Sequence, residues 1–312
     1  MRKHFPCSIP WWQTGLLLAI LLLAGPAGRA QSPQKVQVVT RTLSQSWACL
    51  PGMAVRIRAE KATVLVRGWD KPQVQVTLRL SARHPERAVA EQDLPVAQYR
   101  LQQNGNALDL LNFYTLAANA PAVRSDLRAE YTVWMPAGNP LHVANTYGQT
   151  ELADLSGRQT LTQNFGRITL RNLRGTLAVM ARYADLTANN VLADFTCEAN
   201  KSAVQLLGLG GECLVRNFYG SVQVQPTAAL RRLTVQADRS EVTISVTQPE
   251  QFAYQLGVQQ GSLKVPAALA AAKKGSTSHP TLTTAPAGAP VVRASTTYAP
   301  LTLQTQPLAA QL

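Results

Sequence analysis

The side chains best suited to hold a ligand recur at a fixed spacing. Tyr147, Phe165 and Tyr183 follow one another at 18 residues, Tyr219 stands two such intervals further on, and Arg167, Arg182 and Arg216 lie close to them in the chain. A row of rings can present flat faces to sugars, and guanidinium groups pair with carboxylate, sulfate or phosphate. The combination points to an anionic polysaccharide or an envelope protein as partner. The same rings can also be read as a corner ladder that packs on itself, and both readings stand at this level.

Catalytic chemistry finds less support. Glycosidic cleavage needs two carboxyl groups converging at roughly 5–10 Å, so acids should recur in one column of the repeat. Glu151, Asp185 and Glu241 instead fall four, two and two residues after their reference positions, with Thr169 and Arg167 at the equivalent places. His84, His142 and His279 have no metal-like spacing to another His, Cys or acid. Calcium-binding nonapeptide turns, a phosphate loop and a nucleophile elbow are all missing. The sequence therefore names no catalytic, cofactor or metal residue, and a carbohydrate-active enzyme remains the alternative to a binding protein. Cys197 and Cys213 are diagonal neighbours in the repeat, about 8 Å apart between Cα atoms. A disulfide prefers less than about 7 Å, so they read as core fillers.

The elements that would position these residues follow from the same period. Taking the residue before a small residue as reference, Tyr147-Gly148, Phe165-Gly166, Tyr183-Ala184, Lys201-Ser202 and Tyr219-Gly220 keep strict register. Three residues later stand Thr150, Ile168, Leu186, Val204 and Val222, and five later Leu152, Leu170, Ala188, Leu206 and Val224. Four before come Val143, Leu161, Val179, Cys197 and Val215, and between the apolar columns lie Glu151, Thr169, Thr187, Gln205 and Gln223. Such alternation is that of strands with one buried face. A unit of 18 residues cannot bury its face alone, so successive units must stack, each strand about 4.8 Å from its copy. The expected fold is an all-β, single-domain parallel β-solenoid (β-helix) of about 18 residues per coil, roughly triangular in section. The small residues after the reference are expected at the bend, where glycine tolerates unusual backbone angles.

Residues 51–265 are assigned to this solenoid, with a non-repeating insertion at 74–134 that caps its N-terminal end. Within the insertion, 74–80 reads as a strand, 85–94 as a short helix, and Asn104-Gly105 as the turn of a hairpin. Residues 31–50 form a lead-in, 266–290 an Ala/Thr/Pro-rich linker or loop, and 291–305 a last coil built on Val292, Leu301 and Leu303.

Residues 1–30 read as an export signal. Arg2 and Lys3 precede an apolar run from Gly15 to Ala24, and Gly28 and Ala30 frame a cleavage site. That run is shorter than the roughly 20 residues a membrane-spanning helix needs, and no later segment is apolar enough to span. Losing the signal removes Arg2, Lys3 and Arg29 and no acid, taking the net charge from +13 to +10. The charge suits polyanions, but the basic residues are scattered singly, Arg231-Arg232 and Lys273-Lys274 being the densest clusters. Specific nucleic-acid binding is not expected of such a pattern.

The stretch Trp134-Met135-Pro136-Ala137-Gly138 leading into 141–148, followed by repeated aromatic-Gly-x-apolar-x-apolar units, resembles the putative-adhesin family of exported bacterial proteins. The match covers about 51–70 and 127–265; Lys201-Ser202 and Arg239-Ser240 depart from the aromatic-Gly pattern. The resemblance implies a β-solenoid without assigned catalytic residues, and an adhesive role. The expected function is a non-catalytic binding or scaffold protein of the cell envelope, in the periplasm, at the surface or outside the cell. A purely structural envelope component is a further alternative.

Overall fold

The computed structural model describes residues 35–306. The expected export signal lies outside them. The described residues are mostly β, with strands β1 (Gln37–Ala48), β2 (Ala54–Glu60), β3 (Ala62–Trp69) and β4 (Gln73–His84), the short helix α1 (Arg87–Asp93), and β5 (Ala97–Asn104), β6 (Ala107–Tyr114), β7 (Asp126–Pro136) and β8 (Leu141–Ala153). β9 (Arg158–Val246) is a long run of extended backbone, followed by β10 (Ala253–Gln259), β11 (Leu263–Lys264), β12 (Lys273–Gly275), β13 (Pro280–Thr283), β14 (Val291–Thr297) and β15 (Leu301–Thr305). All belong to one mixed sheet.

β8 pairs in parallel with β9 at an offset of 18 residues, Leu141 opposite Gln159 and Gly148 opposite Gly166. Along β9, side chains 18 residues apart continue to meet: Asn190 donates to Asn172 at 2.9 Å, Lys201 to Tyr183 at 3.1 Å and Arg216 to Glu198 at 3.2 Å. The apolar columns face inward. Ile168, Leu170, Val204, Leu206, Val215 and Val222 are buried, and they join one continuous core that runs from Cys49 to Leu303. β9 changes direction where single residues turn left-handed, at Phe165, Asn172, Tyr183, Asn190, Lys201 and Tyr219. Left-handed backbone is unfavourable for residues bearing a Cβ, so these positions are bends the packing imposes.

The bend includes the aromatic reference residue, whose φ is 60° at both Tyr147 and Phe165, and at Gly166 the following glycine is also in positive φ, at 121°. The glycine that follows is required by a close approach: a Cβ on Gly148 would stand 1.9 Å from the Ala62 carbonyl oxygen, and one on Gly166 1.8 Å from that of Gly148.

At both ends the strand order departs from chain order. β2 lies between β6 and β8, and β3 between β7 and β8, all in parallel. Strands from within 74–134 therefore carry the ladder outward beyond residues that precede them in the chain. The hairpin strand β5 and the antiparallel set β7, β4 and β1 complete that end. At the other end β14 lies between β9 and β10, and β15 between β9 and β11. Residues 291–305, expected as a terminal coil, are thus internal. The segment 266–290, expected as a linker or loop, returns as the β12–β13 hairpin against β10, with Leu282 fully buried. One large apolar side chain flanked by threonines suffices there because β10 already presents a pairing edge.

Candidate functional site

The reference residues form a ladder along one bend. Tyr147 stacks on Phe165 with ring centroids 4.8 Å apart and planes at 10°, and Phe165 on Tyr183 at 5.0 Å and 12°. Lys201 continues the column with its ammonium 5.0 Å from the Tyr183 centroid. Beyond Tyr219, the Arg239 guanidinium stands 5.4 Å from that ring and 5.6 Å from the Tyr298 ring, while donating to the Tyr219 hydroxyl. At the opposite end Lys61 sits 5.6 Å from the Tyr114 ring. Lysine and arginine, which break the aromatic-Gly pattern in sequence, therefore extend the ladder through cation–π contacts.

All of Lys61, Tyr147, Phe165, Tyr183, Lys201, Tyr219, Arg239, Gln260 and Tyr298 have positive φ. Beneath this bend, buried amides bond to backbone carbonyl oxygens. Asn145 Nδ2 donates to Ala62 at 3.0 Å, Gln163 Nε2 to Phe165 at 3.0 Å and Gly148 at 3.2 Å, and Asn217 Nδ2 to Ser221 at 3.3 Å. Carbonyls that a bent strand cannot pair find donors this way. The periodic pattern of apolar residues does not reveal this buried polar column, two residues before the reference, although Asn145, Gln163 and Asn217 do fall at one register position.

The ring faces are largely used. Phe165 is covered on both sides, and Tyr183 carries Phe165 on one face and Lys201 on the other. Their edges and hydroxyls reach solvent, with Tyr147, Phe165, Tyr183 and Tyr219 all exposed. The column thus presents edges to solvent instead of the flat faces a stacked sugar requires.

The three arginines are not brought to one place. Arg167, two residues after its reference, lines a shallow depression of 380 Å³ with Tyr147, Phe165 and Asp185 on one flank of the ladder. Arg182 and Arg216, one and three residues before theirs, lie on the other flank with Met180, Glu198, Asn200 and Phe218 around a groove of 220 Å³. Phe218 is half exposed and belongs to none of the ring stacks. The period assigns Tyr219 to the ladder and so masks Phe218 in the sequence, yet alternation from buried Asn217 places Phe218 outward.

The carboxylates that an enzyme would use are separately engaged. Glu151 Oε1 forms an ion pair with Arg171 at 3.2 Å, and Asp185 Oδ1 accepts the Ala203 backbone N–H at 3.0 Å. Among the described residues no group of three or more His, Cys, Asp or Glu is placed to hold a metal. Cys197 and Cys213 are free, buried thiols whose pKa values burial pushes up to about 12. Among the same residues no helix is long and apolar enough to cross a membrane.

No family model matches the chain, and no curated protein matches it. Among solved structures it is similar to a putative adhesin from Parabacteroides distasonis, at 7% identity over 85% of this chain and 97% of that one, TM-score 0.33. A putative adhesin from Parabacteroides merdae gives 9% identity over 84% and 96%, TM-score 0.32. A putative cell adhesion protein from Clostridium sporogenes gives 8% over 85% and 100%, TM-score 0.24.

Proposed function

We propose that the chain is a β-solenoid of 18-residue coils, exported to the bacterial envelope, that binds an extended anionic polymer or a protein partner in the manner of an adhesin, without catalysis. The observation that carries this reading is the repeated register. Residues 18 apart lie side by side, so outward side chains form columns across many strands. A surface built on paired strands is rigid before it meets a partner, so little ordering entropy is lost on binding. Its basic surplus favours acidic partners.

Retention of the purified chain on a panel of neutral and acidic polysaccharides, run beside product analysis for chain cleavage, tests the reading. Retention without cleavage is expected. Cleavage of any polymer, abolished by Asp185→Asn or Glu151→Gln, would establish the enzyme instead. Cell fractionation tests export: recovery only from the cytoplasm would overturn it.

A further inference from the structure

The groove beside the ladder gathers two arginines, a carboxylate, an amide and a phenyl ring. Two outward columns border it, Met180, Glu198 and Arg216 in one and Arg182, Asn200 and Phe218 in the other, and between them Ala181 and Ala199 turn their side chains into the core and leave backbone at its floor. Arg182, Asn200 and Phe218 occupy one register position in successive repeats, so Arg182 and Phe218 stand two strand spacings apart, about 10 Å.

Its electrostatics are one-sided. Glu198 is the only carboxylate lining the groove, and Arg216 neutralises it through Nη1 at 3.2 Å while Nε donates to Gln236 at 3.0 Å. Those two bonds fix the Arg216 fork and leave Nη2 uncommitted. Arg182 makes no ion pair or side-chain hydrogen bond among the described residues, whereas Arg171 and Arg231 are tied to carboxylates. The groove therefore carries one unspent positive charge beside a phenyl ring. Phe218 is 50% exposed, outside the ladder stacks, with a surface that a ligand can cover.

We propose that this groove binds one negatively charged sugar residue of an extended polysaccharide. The acidic group pairs with Arg182 and the free Nη2 of Arg216, the apolar face of the pyranose lies on Phe218, and Asn200 bonds a hydroxyl. At 220 Å³ the groove is smaller than the roughly 300–1,000 Å³ of pockets that enclose a drug-sized ligand, which suits a single ring of a polymer passing across the strands. The assignment rests on the binding reading above and gives it a ligand class and a place.

The test is affinity electrophoresis of the purified chain in gels containing polygalacturonate or its fully methyl-esterified form. Retardation by the acid and not the ester is expected. Arg182→Glu and Phe218→Ala should each weaken it about tenfold or more, and Arg174→Glu, an exposed change away from the groove, should do so far less. Arg182 and Phe218 point outward, so melting temperatures close to that of the parent confirm folding; Arg182→Lys, which keeps charge but loses the fork, should be intermediate. Polygalacturonate binding unchanged in both variants overturns the groove and leaves the binding reading intact. Equal binding of acid and ester, or retention only on a protein partner, overturns the sugar-acid assignment. Binding to no polymer and no protein overturns both.

Discussion

Lys201 holds its ammonium 5.0 Å from the centroid of the Tyr183 ring and 3.1 Å from its hydroxyl, 18 residues away in sequence. Its own φ is 51°, in the left-handed region. Two opposing effects therefore meet at one residue, a backbone penalty of about 1–2 kcal/mol and an exposed cation–π contact of about 0.5–1 kcal/mol. Lys201→Ala removes the contact and keeps the penalty, while Lys201→Gly removes both. Denaturant melts should find the glycine variant more stable than the alanine variant by about 1 kcal/mol, the reverse of the usual order in a strand. Phe165, at φ 60°, should show the same inversion.

Glycines separate into two kinds. A methyl group on Gly166 meets the Gly148 carbonyl oxygen at 1.8 Å and is attached to backbone at φ 121°, so Gly166→Ala must force apart a pair of hydrogen-bonded strands. A loss above about 3 kcal/mol, or failure to fold, is expected. Gly257, in β10, has open space where its Cβ would stand. Gly257→Ala should be neutral or stabilising by up to about 1 kcal/mol. Comparable losses in the two variants would mean that the close approach does not limit the bend.

Because β14 and β15 lie between β9 and the β10–β11 segment, they hold that segment in place. A chain ending at Pro290 loses an internal pair of strands and should release residues 249–264 as well. Limited proteolysis of the truncated protein is expected to cleave within β10, while the intact protein resists there. Protection of β10 in the truncated chain would contradict the interleaved order.

Asp93, at the end of α1, accepts backbone N–H bonds from Ser125 at 2.8 Å and Arg124 at 3.0 Å, closing the segment before β7. Burial acts to raise its pKa, but the bonds from Ser125 and Arg124 and the Arg124 charge outweigh it and hold the carboxyl below its ordinary value. An acid whose pKa is lower in the folded chain than the unfolded value of about 3.9 stabilises fully above that value. The contribution is lost as pH falls through the folded pKa. Asp93→Ala should cost about 1.5–3 kcal/mol at neutral pH, and its deficit relative to the parent should shrink below about pH 4. A deficit that stays constant on acidification would remove the carboxylate from the explanation.

Much of the side-chain placement is legible in the sequence. The columns of Ile168, Leu170, Val215 and Val222 mark the buried face by alternation alone, and Asn104-Gly105 marks the β5–β6 turn. The ladder can be read as a row, but whether its rings face solvent or one another cannot, since ring orientation depends on the left-handed backbone beneath. Phe218 is hidden for a related reason: the aromatic next to it already satisfies the period.

What the sequence determined by itself was the spacing, the inward and outward faces, and the residues shared by each column, because alternation and period are written directly into side-chain types. Which strand lies beside which was decided only in three dimensions. Backbone hydrogen bonds are blind to side-chain identity, so β14 and β10 are equally able to pair with β9 on pattern alone, and the packing of the whole core selects between them. That choice sets Tyr298 against Arg239 and Tyr114 against Lys61. The bends separate Arg167 from Arg182 and Arg216, and place the latter two beside Phe218.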